Sequence, residues 1–285
     1  MDILNPFECS EEKAWCPGCG NHALLEGIKR ALFELEKEPH EVLIASGIGQ
    51  AAKLPHYINT NGFNGLHGRA VPPAAGAKIA NSDLTVIIHT GDGDSYGEGG
   101  NHLIHNIRRN LDLTHFVHDN QIYGLTKGQA SPTTGKGHIT GIQTEGVQLE
   151  PFNPIALGIS LDCSFVARTF VGDQEHMVET MKSAIRHSGY ALVDILQPCV
   201  VFNKVNTFKW YKDRVYHLER DHDVSDKVEA FRRAQEFGER IPIGIFYVNE
   251  KPTYMESVEY ISEREPLVRK KLDPKSAVPL MDEFY

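Results

Sequence analysis

The sequence predicts an α/β fold: a mostly parallel sheet with helices on both faces. Two observations carry this. Short apolar runs alternate with helix-periodic stretches between residues 20 and 200. Short apolar runs alternating with helical ones in this way are expected of strands covered on both faces. Glycine, aspartate, asparagine and cysteine gather just after the runs, where ligands bind in such sheets.

Taken in order, Asn21 can cap a helix carrying Leu24, Leu25, Ile28, Leu32 and Leu35 on one face. Val42–Ala45 reads as the first strand and ends in the turn-like Ser46-Gly47-Ile48-Gly49. Leu84–Ile88, Leu113–Val117, Ser164–Ala167 and Ala191–Leu196 read as further strands, with helices over 72–81, 99–110, 153–160 and 174–187. The segments after the strands, 46–53, 89–100, 118–129 and 197–204, are where a site is expected. Beyond about residue 210 the chain is richer in charge, as in His217–Asp226 and Arg232-Arg233. One helix near 225–238, one strand near 243–248 and an extended tail are expected there. This divides the chain into a principal domain, 1–210, and a C-terminal extension, 211–285.

Composition bounds the function. The 285 residues are 41% hydrophobic and 24% charged, ordinary globular usage. A formal charge of −9 disfavours nucleic-acid phosphate as a partner. No apolar run approaches the ~20 residues of a membrane span. The start of the sequence lacks the positive flank and long apolar core of a secretory signal. Five cysteines, an odd number, suggest a reducing compartment and thiols kept for chemistry. A soluble cytoplasmic protein with neither nucleic-acid nor membrane partners is expected.

The strongest chemical signal follows the strand at 84–88: His89-Thr90-Gly91-Asp92-Gly93-Asp94, then a loop into a helix. Gly-Asp-Gly alone is a common strand-to-helix turn. Here Asn120 follows the next strand, with 26 residues separating it from Gly93. A carboxylate and an amide oxygen at two strand ends suit octahedral Mg²⁺ bound to phosphate oxygens. The glycines let backbone N–H groups approach the phosphate, and the following helix N-terminus favours the anion.

Gly91-Asp92-Gly93 with Asn120 resembles the thiamine pyrophosphate motif. Trp15-Cys16-Pro17-Gly18-Cys19-Gly20, Ser46-Gly47-Ile48-Gly49, His67-Gly68-Arg69-Ala70, Gly100-Asn101-His102 and Tyr123-Gly124-Leu125-Thr126-Lys127-Gly128-Gln129 narrow the match. Together, over roughly 14–205, they resemble the beta subunit of the 2-oxoacid:ferredoxin oxidoreductases. The Thr-Lys-Gly-Gln form leans toward the 2-oxoglutarate and broad 2-oxoacid members rather than the pyruvate enzymes; 2-oxoglutarate is the expected substrate, with a pyruvate or broad-range enzyme as the alternative.

The resemblance implies that Asp92 and Asn120 hold Mg²⁺ by side chain and Ile122 by its carbonyl. It places Gly91, Gly93 and Asp94 along the diphosphate, and Ser46, Gly47, Ile48 and Gly49 at the cofactor with His67 nearby. Tyr123, Gly124, Leu125 and Thr126 complete the cofactor-binding set. His67 is the candidate oxyanion donor or proton carrier, against a structural histidine. Lys53 is the candidate partner of the distal carboxylate of 2-oxoglutarate, against a solvated surface lysine. The implied reaction is reversible, coenzyme A-dependent oxidative decarboxylation, with electrons passing through a 4Fe–4S cluster to ferredoxin. An alpha subunit is expected to supply the glutamate that activates the cofactor, in a heterotetramer or heterodimer of dimers.

Cys16 and Cys19 form a Cys-x-x-Cys before a helix, open to three readings: zinc ribbon, redox dithiol or cluster ligation. A second pair with ribbon spacing is absent. The family uses such a pair with a Cys after a late strand, matched by Cys199, and a Cys in the Gly-Ile-Gly-Cys turn, where this chain has Gln50. Cys9 is the preferred replacement ligand and Cys163 its rival; a three-cysteine cluster with a weak or non-protein fourth ligand is the third arrangement. His102 and His105 share a helical face but lack the company of a metal site. Lys127–His138 reads as a mobile loop near the mouth of the site or a solvated connector. Two other classes compete: a non-oxidative thiamine-dependent decarboxylase subunit without iron, and a non-catalytic iron–sulfur or dithiol electron carrier. The latter leaves Gly91-Asp92-Gly93 and Asn120 without a task.

Overall fold

The computed structural model describes residues 5–218, 222–258, 265–271 and 273–284. Parts of the charged stretch and of the expected tail, 219–221, 259–264, 272 and 285, lie outside the described residues.

The apolar runs become the strands β1 (Val42–Ser46), β3 (Thr85–Gly91), β4 (Leu113–Asp119), β5 (Phe165–Phe170) and β6 (Tyr190–Leu196). Three further strands, β2 (Asn61–Asn64), β7 (Val215–His217) and β8 (Ile241–Val248), complete one eight-stranded sheet in the order β2-β1-β3-β4-β6-β5-β8-β7. All neighbours are parallel except β5 and β8. The C-terminal extension therefore continues the main sheet.

Successive strand residues point to opposite faces, so Ile44 and Ile87 enter one core while Ala45 and Ile88 enter the other. The first core is covered by α1 (Gly20–Glu34) and, after three intervening helices, by α5 (Gln174–Arg186), through Leu24, Ile28, Leu32, Met177 and Met181. The second is covered by α2 (Val71–Ala80), α3 (Gly100–Arg109) and α4 (Pro154–Ser160), through Ala74, Leu103, Ile107, Ile155 and Ile159. Within the extension, Lys227–Ala234 forms the expected helix, with Asp226 as its N-cap.

Asn21 does not cap α1. Cys19 holds the N-cap position, and Asn21 lies inside the first turn with its side chain buried against His118, 2.8 Å away. His118 pairs in turn with His89 at 2.9 Å. His115, also sealed inside the sheet, pairs with Tyr190 and Thr90, each at 2.8 Å. Buried polar groups need such partners. His102 and His105 lie on the outer side of α3.

Burial lowers the His115 pKa from the ordinary 6.5 to about 3. Between those values the unfolded chain binds more protons than the fold. The stability linked to neutral His115 is fully present above pH 6.5 and is lost as pH falls toward 3. His115→Gln is expected to lie below wild type in urea-unfolding stability at pH 7.5. That gap should narrow below pH 6.5 by at most about 1.4 kcal/mol per pH unit; a constant gap would show an imidazole that titrates normally.

Candidate active site

Chain connections leave β1 in one direction toward β2 and return over it to β3, so the carboxyl ends of β1 and β3 border a topological switch point. A cavity opens there. Its lining comprises Ile48, Gly49, Gln50 and Ala51 after β1, His67 before α2, Gly91–Asp94 at the end of β3, and Asn120 with Ile122–Thr126 after β4. Thirteen of the cofactor-site positions expected from sequence, counted from Ile48, Gly49, His67, Gly91, Asp92, Gly93, Asp94, Asn120, Ile122, Tyr123, Gly124, Leu125 and Thr126, meet in this one place.

Ser46 and Gly47 stand behind the cavity. The buried Ser46 Oγ donates to the Ala52 carbonyl at 3.1 Å and accepts from Asn64 Nδ2 at 2.9 Å, which sets the turn leaving β1. A Cβ on Gly47 would lie 2.0 Å from Asp94 Oδ2, so glycine makes room for that carboxylate. Asp94 Oδ1 accepts from the N–H of Gly68 at 2.6 Å and of Ile48 at 3.2 Å, while Oδ2 is buried without a partner. Burial pushes the Asp94 carboxyl up to about 6. His67 Nε2 lies 3.6 Å from Asp94 Oδ1 and 3.5 Å from Glu98 Oε2, with its ring edge-on to Tyr123.

Gly93–Glu98 winds as a π-helix, with Gly99 N–H donating to the Asp94 carbonyl at 2.9 Å. Such wide turns are frequent at functional sites. Tyr123 packs directly on it: a Cβ on Gly93 would sit 2.1 Å from the Tyr123 ring.

Asp92 is buried at the head of this turn. Its Oδ2 accepts from Ser131 Oγ at 2.5 Å and Thr133 Oγ1 at 2.6 Å, and Thr133 also meets Asp119 Oδ1 at 2.8 Å. Burial raises the pKa of both Asp92 and Asp119. Asn120 Oδ1 accepts from Ile122 N–H at 3.0 Å, turning the chain so that Ile122 faces the cavity. Two adjacent oxygen-bearing side chains and a glycine-rich wall suit a diphosphate with a hard cation. The segment read as a mobile loop or a solvated connector contains buried Ser131, Thr133 and Thr134. These anchor it to Asp92 and to the Gln121 carbonyl. Sequence reading missed Ser131, Thr133 and Asp119; a hydroxyl-rich stretch without apolar period carries no signal for this role.

Lys53 takes a different place from the one expected. It does not line the cavity, and its Nζ donates to the Ala14 carbonyl at 3.0 Å, next to Trp15. Trp15 Nε1 donates to the Gln50 carbonyl at 2.9 Å. These two bonds fasten the Cys-x-x-Cys segment to the turn after β1.

Cys16, Cys19 and Cys199 line a second recess together with Trp15, Asn21, Gln50, Asn120, Gly124 and Gln197. Gln50, Asn120 and Gly124 are common to both spaces and form the wall between them. Burial raises the Cys19 pKa, and Gln197 Nε2 points at Cys19 Sγ from 3.6 Å. No three His, Cys, Asp or Glu side chains among the described residues gather around a point for a single ion. A cubane cluster spreads its thiolates more widely than one ion does. Cys9 does not line this recess; its Sγ faces the His56 carbonyl at 3.6 Å. Cys163 is buried at the foot of β5 against the carbonyls of Phe165 and Tyr190.

Gly68 has a φ of +69°, and a Cβ there would stand 2.4 Å from the Glu98 carbonyl carbon. Gly68→Ala is expected to cost about 2–4 kcal/mol, from overpacking and left-handed strain together. The shift of the urea midpoint measures it; a loss below 0.5 kcal/mol, roughly the scale of an ordinary surface substitution, contradicts the packing described.

Residues 42–195 match the family model "Thiamine pyrophosphate enzyme, C-terminal TPP binding domain". Residues 199–263 match the family model for the C-terminal part of the pyruvate ferredoxin oxidoreductase beta subunit. The beta subunit of 2-oxoacid:ferredoxin oxidoreductase 1 from Aeropyrum pernix is 43% identical over 265 residues, 88% of this chain and 82% of that one. The corresponding subunit from Saccharolobus solfataricus is 44% identical over 265 residues, 88% of this chain and 86% of that one. Among solved structures, the 2-oxoglutarate:ferredoxin oxidoreductase from Magnetococcus marinus with 2-oxoglutarate, coenzyme A and succinyl-CoA bound matches with a TM-score of 0.91. Its identity is 34%, over 99% of this chain and 97% of that one. Residues 42–195 are thus a thiamine pyrophosphate-binding domain, and the chain belongs to the 2-oxoacid:ferredoxin oxidoreductase family as a beta subunit.

Proposed function

We propose that this beta subunit works on 2-oxoglutarate, in a cytoplasmic heterotetramer or heterodimer of dimers with an alpha subunit. It passes electrons from coenzyme A-dependent decarboxylation through a 4Fe–4S cluster to ferredoxin, and runs reversibly. The observation that carries this reading is the shared wall: Gln50, Asn120 and Gly124 separate the cofactor cavity from the three-cysteine recess. A redox centre so placed lies beside the place where electrons are released. The match to the Magnetococcus marinus structure over 99% of the chain supports the choice of 2-oxoglutarate. The relatives at 43–44% identity carry the broader name 2-oxoacid, which favours a wider substrate range as the second reading.

Asp92 and Asn120 would hold Mg²⁺ by side chain and Ile122 by its carbonyl, as hard oxygen donors do. The buried, partnerless Asp94 Oδ2 is aimed beside the Gly47 turn, where a polar cofactor group or water can donate to it. When bound, thiamine diphosphate supplies the carbon nucleophile and the electron sink. The chain's own part is placement and proton handling. Ser131 and Thr133 fix the plane of the Asp92 carboxylate, and Tyr123 closes over Gly93. His67, set between Asp94 and Glu98, is the group able to hold or move a proton at the mouth. Among the described residues the cavity lining contains aspartates but no glutamate, which supports an activating glutamate from the alpha subunit.

The test is reduction of ferredoxin or a viologen by the complex with its alpha subunit, across several 2-oxoacids, with and without coenzyme A. Turnover with 2-oxoglutarate that requires coenzyme A is expected, and none from the beta chain alone. Thiamine diphosphate binding without reduction by any 2-oxoacid would reject the reading. Thr133→Val removes one hydroxyl from Asp92 and is expected to weaken Mg²⁺-dependent cofactor binding by about 10–100-fold in calorimetry. Unchanged affinity would show that Asp92 needs no such support.

A further inference from the structure

We propose that Gln50 closes the iron–sulfur cluster, its amide Oε1 taking the corner that a fourth thiolate would fill. This rests on the cluster reading above. Cys16, Cys19 and Cys199 face one recess, and no other cysteine among the described residues lines it. Cys9 is turned to the His56 carbonyl and Cys163 is buried under the strand start, so neither is the missing donor. Gln50 does line the recess, and its Oε1 is buried with no hydrogen-bond partner. A buried amide oxygen left unpaired costs free energy unless something binds it.

The placement is specific. A Cβ built on Gly124 would meet Gln50 Cγ at 3.9 Å and Cys199 Sγ at 4.0 Å, so the two side chains flank the same backbone atom. The Gln50 backbone is held by Trp15 Nε1, one residue before Cys16. Gln50 is therefore tied to one end of the thiol set and packed beside the other. Gln197 also has an unpaired Oε1, but its amide nitrogen is engaged with Cys19 Sγ and its Cγ is wedged under Gly20, where a Cβ would come within 2.5 Å. Its role is to orient a sulfur.

A neutral oxygen in place of a thiolate has two consequences. The corner iron is held by a donor it prefers less than sulfur and leaves more easily. The cluster also carries one negative charge fewer, which raises its reduction potential. Gln50→Cys reverses both.

The experiment uses the whole anaerobic complex, with iron counted and EPR recorded before and after mild ferricyanide oxidation, and with potentials from a redox titration. Wild type is expected to hold about four irons per beta subunit and convert readily to a three-iron signal. Gln50→Cys should lose that conversion and shift to lower potential. Gln50→Glu, which keeps an oxygen donor and adds a charge, should also shift downward while still converting. Gln50→Ala should convert faster than wild type. Four irons in every variant, with the potential and conversion of wild type throughout, overturn the Gln50 ligation alone. So does loss of iron on Cys9→Ser with Gln50→Ala unaffected. A wild-type complex that binds thiamine diphosphate but no iron overturns the cluster reading and this proposal with it.

Discussion

The site depends on one buried carboxylate. Asp94 reaches from the first turn after β3 and gathers the N–H groups of Ile48 and Gly68, so it joins three loops that the sheet alone leaves separate. Two glycines make this possible in different ways. Gly47 has no side chain where the carboxylate must lie, and Gly68 adopts a left-handed conformation tight against the Glu98 carbonyl. Burial opposes ionisation of Asp94, yet two N–H donors and the nearby His67 favour it. Burial outweighs them, and the carboxyl is pushed up to about 6 beside the cavity.

A second group of bonds does for Asp92, the proposed metal ligand, what Asp94 does for the loops. Ser131 and Thr133 come from a stretch with no regular structure, but they are buried and hold Asp92 from behind. Thr133 bridges Asp92 and Asp119, and its single hydroxyl proton can serve only one of them at a time. With both carboxyls pushed upward by burial, a proton shared across this bridge relieves what would be two buried charges. A divalent cation at Asp92 offers the same relief from the other side.

Much of this was legible in the sequence, for a physical reason. Strands β1, β3, β4, β5 and β6 are covered on both faces, so each carries a short apolar stretch that shows in the sequence, even where β4 and β5 also bury His115, His118 and Arg168. Many of the residues following them meet at one cavity. β2 was invisible because it is an exposed polar edge, Asn61-Gly62-Phe63-Asn64, added to β1 by backbone bonds and by the amides of Asn61 and Asn64. Asn21 looked like a helix cap because asparagine usually is one. The buried imidazole of His118 claimed it instead, a tertiary contact no local pattern encodes. Lys53 was expected at the substrate for its charge, yet the Ala14 carbonyl lies within its reach and holds it. Ser131 and Thr133 had no periodicity to betray them, because hydroxyl groups in a loop read as solvated until a buried acceptor is placed beside them.

The cysteine recess separates two chemistries that share a Cys-x-x-Cys at a helix start. A redox dithiol needs a thiolate stabilised by the helix N-terminus or a nearby cation. Here Cys19 is the N-cap of α1, yet burial raises its pKa, and the neighbouring Cys199 and Cys16 raise it further. The backbone N–H of Asn21 and the amide of Gln197 lower it, but by less. Three thiols facing one recess repel one another as thiolates, so Cys19 is disfavoured as a free low-pKa nucleophile. The recess favours thiolates only when positive charge enters among them. The iron of the proposed cluster would supply that charge, and the same amide N–H donors that fail to ionise Cys19 alone would then donate to a metal-bound sulfur. The electrostatics around Cys19 thus support the proposed cluster over dithiol exchange at that sulfur.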